Sequence, residues 1–174
     1  DYVDKNKKIG EIKINKDMKN PGERITKYLN NNEALFIFYS EKGIYLYDYK
    51  RMALVKKLSL QKLINSKIRK VKSLTNGNIA ILYNYYNLAI YNAEKDILIY
   101  KFKSNWTKSP GNEDIPLLVK ISKDIVLFGS DPKTVTVLNF WKGDILGHIS
   151  NKEKNINCIL CKSIEIYEEN IEQS

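Results

Sequence analysis

Residues 43–51, "GIYLYDYKR", are a run of strand-forming side chains broken by one acid. Aromatic and β-branched residues favour a pleated strand, and aspartate does not. Side chains alternate along a strand, so Ile44, Leu46 and Asp48 share one face, and Tyr45, Tyr47 and Tyr49 share the other. Both faces are largely apolar, and such a strand must be covered on both sides. Helices are one way to cover it, but few segments here are long enough for a clean 3.6-residue period. Neighbouring sheets are the other way.

Asp48 belongs to a series. Asn92 follows it by 44 residues, Asn139 follows Asn92 by 47, and Asp4 precedes Asp48 by 44. Three of these anchors close an apolar run ("IYLYD", "LAIYN", "TVTVLN"), and a turn and a further run follow: "MALVKKLSL", "DILIYKF" or "DILGHIS". The strand before each recurs as "ALFIFYS", "IAILYN" and "DIVLFGS", and ahead of it stand "RITKYL", "IRKVKSL" and "PLLVKIS". Each unit therefore reads as four short strands punctuated by polar turns. A period of this length marks a repeat architecture. Four-stranded sheets set radially cover each other's faces, which is an all-β propeller; another all-β sandwich with a fortuitous period is the alternative. At the anchor, a short polar side chain can hydrogen-bond the backbone of the turn that follows. Two of the four anchors are Asn, which argues against a required charge.

The stretch "SDPKTVTVLNFWKGD" (130–144) resembles a WD repeat: a serine–aspartate turn, threonine, alternating aliphatics, the Trp-Asp place, and a turn ending in glycine. Leu138 and Asn139 hold the Trp-Asp place here, Tyr47 and Asp48 hold it after the turn 40–43, and Tyr91 and Asn92 hold it in the middle unit. No Trp-Asp pair is present, and no Gly-His dipeptide precedes a unit; Gly147-His148 falls inside a last strand. The chain is thus similar to a degenerate WD-repeat β-propeller, with three full units and half units at both ends. Residues 1–20 read as the end of a blade, 21–65, 66–110 and 111–154 as blades, and 155–174 as the start of another. The first residue is Asp1 and the pattern starts mid-blade, so a piece of a larger ring is expected, with a closed four-bladed ring as the alternative. The resemblance implies a non-enzymatic scaffold. Its partners would be proteins or the remaining blades of the same chain.

Composition agrees with one domain that has a core: 174 residues, 43% hydrophobic. No apolar run approaches the ~20 residues of a membrane span, so no membrane partner is expected. The net charge is +9, carried by 26 lysines and three arginines. Lysine is a point charge rather than a bidentate reader of phosphate or base edges. Cys158 and Cys161 form a single C-x-x-C. A structural zinc site usually needs four ligands, so core thiols are the simpler reading, in a reducing, intracellular compartment, cytoplasmic or nuclear.

Catalysis needs convergent titratable groups. His148 is the only histidine, and Glu113-Asp114 and Glu168-Glu169 are adjacent acids in polar segments. An enzyme, a cofactor, a metal and a small-molecule substrate are therefore not expected. Two insertions are more suggestive. Residues 58–72 read as a short helix capped by Ser59, with Leu60, Leu63 and Ile64 on one face. It leads into Lys67, Arg69, Lys70 and Lys72, a candidate basic patch on the rim of the ring for RNA or another anion. Residues 103–116 form a long loop carrying Trp106. Trp106 and Trp141, the latter in the turn after an anchor, are candidate protein-binding residues. Tyr85 and Tyr86 join them: with Tyr83 they flank a turn, where they would form an exposed aromatic patch able to stack bases, or else pack between blades.

Overall fold

The computed structural model describes residues 25–28, 35–63, 65–105 and 117–150. They form three four-stranded antiparallel sheets, each a meander of consecutive strands. The first holds β1 (Ile25–Lys27), β2 (Leu35–Ser40), β3 (Gly43–Asp48) and β4 (Ala53–Lys57). The second holds β5 (Ile68–Ser73), β6 (Asn78–Tyr83), β7 (Asn87–Asn92) and β8 (Ile97–Phe102). The third holds β9 (Leu118–Lys120), β10 (Ile125–Asp131), β11 (Thr134–Asn139) and β12 (Asp144–Ser150). Asp4, Trp106, Cys158 and Cys161 lie outside the described residues.

The sheets stack face to face in chain order. Every residue of β6 is buried, because its alternating side chains enter two different cores. Ile79, Ile81 and Tyr83 pack with Ile37, Tyr39, Ile44 and Leu46 of the first sheet. Ala80 and Leu82, together with Leu88 and Ile90, pack with Leu118, Val126, Phe128 and Leu138 of the third. The first strands lie where the sheets converge, since β5 touches both β1 and β9. The last strands lie outward, and every residue of β4, β8 and β12 is exposed or half-buried. This is the radial order of consecutive propeller blades, each with an inner first strand and an outer fourth strand.

The outer strands share a second regularity. Val55, Ile99 and Leu146 are each an extra residue between two paired ones: Lys56 and Leu54, Tyr100 and Leu98, Gly147 and Ile145. Each is a β-bulge at the third place of its strand, which bends and twists that edge. The residue after the bulge reaches the next blade. Lys56 Nζ donates to the carbonyls of Ala93 (3.4 Å) and Glu94 (3.1 Å). The Tyr100 hydroxyl donates to the Phe140 carbonyl. Ala93 and Phe140 each directly follow an anchor, so one clasp is built twice. In the third blade the same place is Gly147, which has no side chain to extend.

The region 58–67 differs from the sequence expectation. Its described residues, which leave out Ile64, hold a 3-10 turn, Gln61–Leu63, instead of a capped α-helix. Leu60, just before the turn, has a left-handed backbone (φ 50°). Ser59 does not cap the turn. Its amide donates to both carboxylate oxygens of Asp96 (3.0 and 3.1 Å), and its hydroxyl lies 3.4 Å from that of Tyr91. Leu58, Leu60 and Leu63 are buried, so the segment is held by the core between the first two blades.

Asp96 is the charged centre of that joint. The Tyr91 hydroxyl donates to it at 2.5 Å, and Lys56 Nζ stands 3.9 Å away. Burial alone would raise its pKa, but the Tyr91 hydroxyl, the Ser59 amide and Lys56 together hold it below the usual 3.8. A carboxyl depressed in the folded state adds stability above its unfolded pKa, and loses it as pH falls through the folded value. The stability difference between wild type and Asp96→Asn is therefore expected to be largest at neutral pH and to shrink below about pH 4, as read from urea unfolding at pH 7 and pH 3. The double-sided core gives a second expectation. Ile81→Ala and Leu82→Ala point into opposite interfaces, and each should lose about 3 kcal/mol. A sheet covered on one side only would show a large loss for just one of them.

Candidate interaction face

In an antiparallel meander, the turn between second and third strands and the connection between blades emerge at one end of the sheet. The other two turns emerge at the opposite end. The candidate residues divide accordingly.

The anchors lie at the end with the third-to-fourth-strand turns. Asp48 Oδ1 accepts from the amides of Lys50 (2.8 Å) and Arg51 (3.0 Å). Asn92 Oδ1 accepts from the Lys95 amide (2.8 Å), and Asn139 Oδ1 from the amides of Trp141 and Lys142 (3.1 Å each). Asp48 is buried, while its ion-pair partner Arg51, at 3.7 Å, has a side chain 83% exposed; an ion pair so open to water is worth little. Trp141 is at this end, 46% exposed and stacked on Phe140.

Tyr85, Arg69 and Lys67 meet at the other end. The Arg69 guanidinium lies 4.7 Å from the centre of the Tyr85 ring and 3.4 Å from Glu41 Oε1. The Lys67 amide donates to Asn84 Oδ1 (2.9 Å), and the Ile68 amide to the Glu41 carbonyl (2.9 Å). The turn residues Asn84 and Tyr85 both have left-handed backbones, φ 45° and 77°. For a residue with a Cβ, that region costs roughly 1–2 kcal/mol. The turn turns the Tyr85 ring under Arg69, where it stays half-buried, and sends Tyr86 into the protein, where it is 3% exposed.

Two expectations are corrected by this geometry. Tyr83 and Tyr86 are buried, so the exposed aromatic patch reduces to Tyr85. The basic residues are not on the rim either, because β5 is an inner strand. Lys67 is exposed, whereas Arg69, Lys70 and Lys72 are half-buried. Arg69 is the extra residue of a bulge between Ile68 and Lys70, which turns it away from the strand's regular alternation and toward Tyr85.

Two clefts open at this same end. One, of about 500 Å³, is bounded by Glu41, Lys42, Leu60, Asn65, Ser66 and Lys67. The other, of about 570 Å³, is bounded by Lys103, Ser104, Ser130, Asp131, Thr134 and His148. His148, exposed on β12, contacts Thr136 Oγ1 through Nδ1 (2.9 Å); Thr136 donates to Ser130 Oγ (2.8 Å), and Ser130 donates to the Thr134 carbonyl (3.4 Å). A carbonyl only accepts, so every hydroxyl in this chain donates away from the histidine, and His148 donates from Nδ1. That direction keeps His148 from taking the Thr136 proton. The chain of bonds ties β10, β11 and β12 together. Among the described residues, no group of three His, Cys, Asp or Glu side chains is placed to hold a metal ion, and no helix is long and apolar enough to cross a membrane.

The anchor geometry predicts the effect of two substitutions. Asp48→Asn keeps the accepting oxygen and should leave stability almost unchanged, whereas Asp48→Ala should lose about 1 kcal/mol. Equal losses in chemical denaturation would mean that the charge itself is required.

No protein-family model matches the chain, and no curated protein does. Among solved structures, it is similar to the WD40 β-propeller domain of Doa1, with a TM-score of 0.58 and 16% sequence identity over 79% of this chain. It spans 43% of that domain's length, less than half. At such low identity the likeness shows the fold alone: three four-stranded sheets in a WD-like β-propeller arrangement.

Proposed function

We propose that the chain is a non-enzymatic protein-interaction scaffold that receives partners on the face where the blade connections and the second-to-third-strand turns emerge. The observation that carries this reading is Tyr85. It is an aromatic residue held in a left-handed backbone conformation, half-buried under Arg69, at the end of the sheets where both clefts open. Local strain of this kind persists when the surroundings over-determine it, and it clusters at functional sites. Arg69 and Tyr85 are also residue types that dominate interface energetics. Lys103, Ser104 and Asn105, which precede Trp106 in sequence, leave β8 at the same end.

Affinity capture with the 174-residue chain tests this reading against two variants, Trp106→Ala and the pair Arg69→Glu with Tyr85→Ala. Loss of the same proteins from both variants is the expected result. An unchanged partner set from the double variant would remove this face from the mechanism. RNA binding through Lys67 and Arg69 would instead give retention that falls steeply with salt, because phosphate contacts release counterions.

A further inference from the structure

The three outer strands present the same chemistry at the same places. The bulge residues Val55, Ile99 and Leu146 are large, apolar and 42–53% exposed. Directly before two of them, Leu54 and Ile145 are about half exposed as well, 51% and 49%; on β8 the matching Leu98 is half-buried and Ile97, one place earlier, is 50% exposed. A single exposed aliphatic needs no explanation, but here one register place carries one in every blade. On these strands and the turns that feed them, the exposed charges are Lys50, Arg51, Lys57, Lys95, Lys101 and Lys142, against Glu94 and Asp144. The outer strands thus carry one apolar step per blade in a positive field.

From this pattern we infer that the rim binds an acidic protein segment that lies along successive blades and sets an apolar side chain on each bulge. Charge complementarity selects the partner, and the repeat selects its shape. The inference rests on the scaffold reading and adds a second surface to it. Pairing with a partner strand is disfavoured, because a bulge interrupts the regular ladder that an added strand would extend. A flat lipid surface meets a convex arc at one blade and leaves the other apolar steps unused.

Fluorescence anisotropy with three labelled synthetic peptides tests the idea on the 174-residue chain. One peptide has leucines spaced among glutamates and aspartates, the second has those leucines replaced by serine, and the third has the acids replaced by lysine. The first should bind saturably and weaken as salt rises, and the other two should bind at least tenfold more weakly. The triple variant Val55→Ser, Ile99→Ser, Leu146→Ser should lose at least tenfold for the first peptide while keeping the wild-type circular dichroism spectrum. Absence of binding, or equal binding by the triple variant, overturns the inference. So does binding to phosphatidylserine–phosphatidylcholine vesicles without binding to the peptide. Loss with the Arg69→Glu, Tyr85→Ala double variant, and not with the triple variant, moves the site to the loop face. That overturns the rim and leaves the scaffold reading standing.

Discussion

Burial of β6 on both faces is the constraint on which the rest of the structure depends. Consecutive side chains of this strand enter different cores, so the second sheet is stable only between two others. The stacking that results places small residues where sheets approach closely: Ala80, Ala89 and Ala93 are all fully buried. It also forces the order within each sheet. The most deeply buried strands take the middle, and the most exposed strands take the outside. Stability in such an array comes largely from neighbour interfaces, and the polar clasps of Lys56 and Tyr100 fasten those interfaces at their outer margin.

Much of this order is legible along the chain. The two-sided apolar strands, the four-strand unit and the anchor spacing all arise from local alternation and turn chemistry, which a sequence carries directly. Radial position is less visible. The lysines of β5 look like a solvated surface because their alternation resembles that of an outer strand. Whether such a strand lies inside or outside depends on which sheets flank it. Tyr86 illustrates a similar limit: three tyrosines around a turn look alike in sequence, and only the left-handed backbone of Asn84 and Tyr85 sends one ring out and the next one in.

The candidate surfaces were harder still to read. Arg69, Tyr85 and Glu41 come from three separate segments, and the Asp96 joint links residues 37 apart in sequence. No local pattern announces such meetings, because blade packing brings them about. The bulges of the outer strands were also hidden. An extra residue leaves no mark on composition, and it appears only when the three ladders are set side by side. His148 is legible as a residue of a last strand, but its bonded chain through Thr136 and Ser130 depends on cross-strand pairing that spacing alone does not specify.

The anchor turns have a consequence for how such a chain diverges. At Asp48, Asn92 and Asn139, one side-chain oxygen holds the turn by accepting from main-chain amides, and almost any residue supplies an amide. The letters around the anchor are therefore free to drift, and the anchor itself can alternate between acid and amide. A tryptophan beside it can give way to tyrosine or leucine. Architecture of this kind outlives its sequence signature, and lineages that share it can become strangers by letter while their backbones still superimpose.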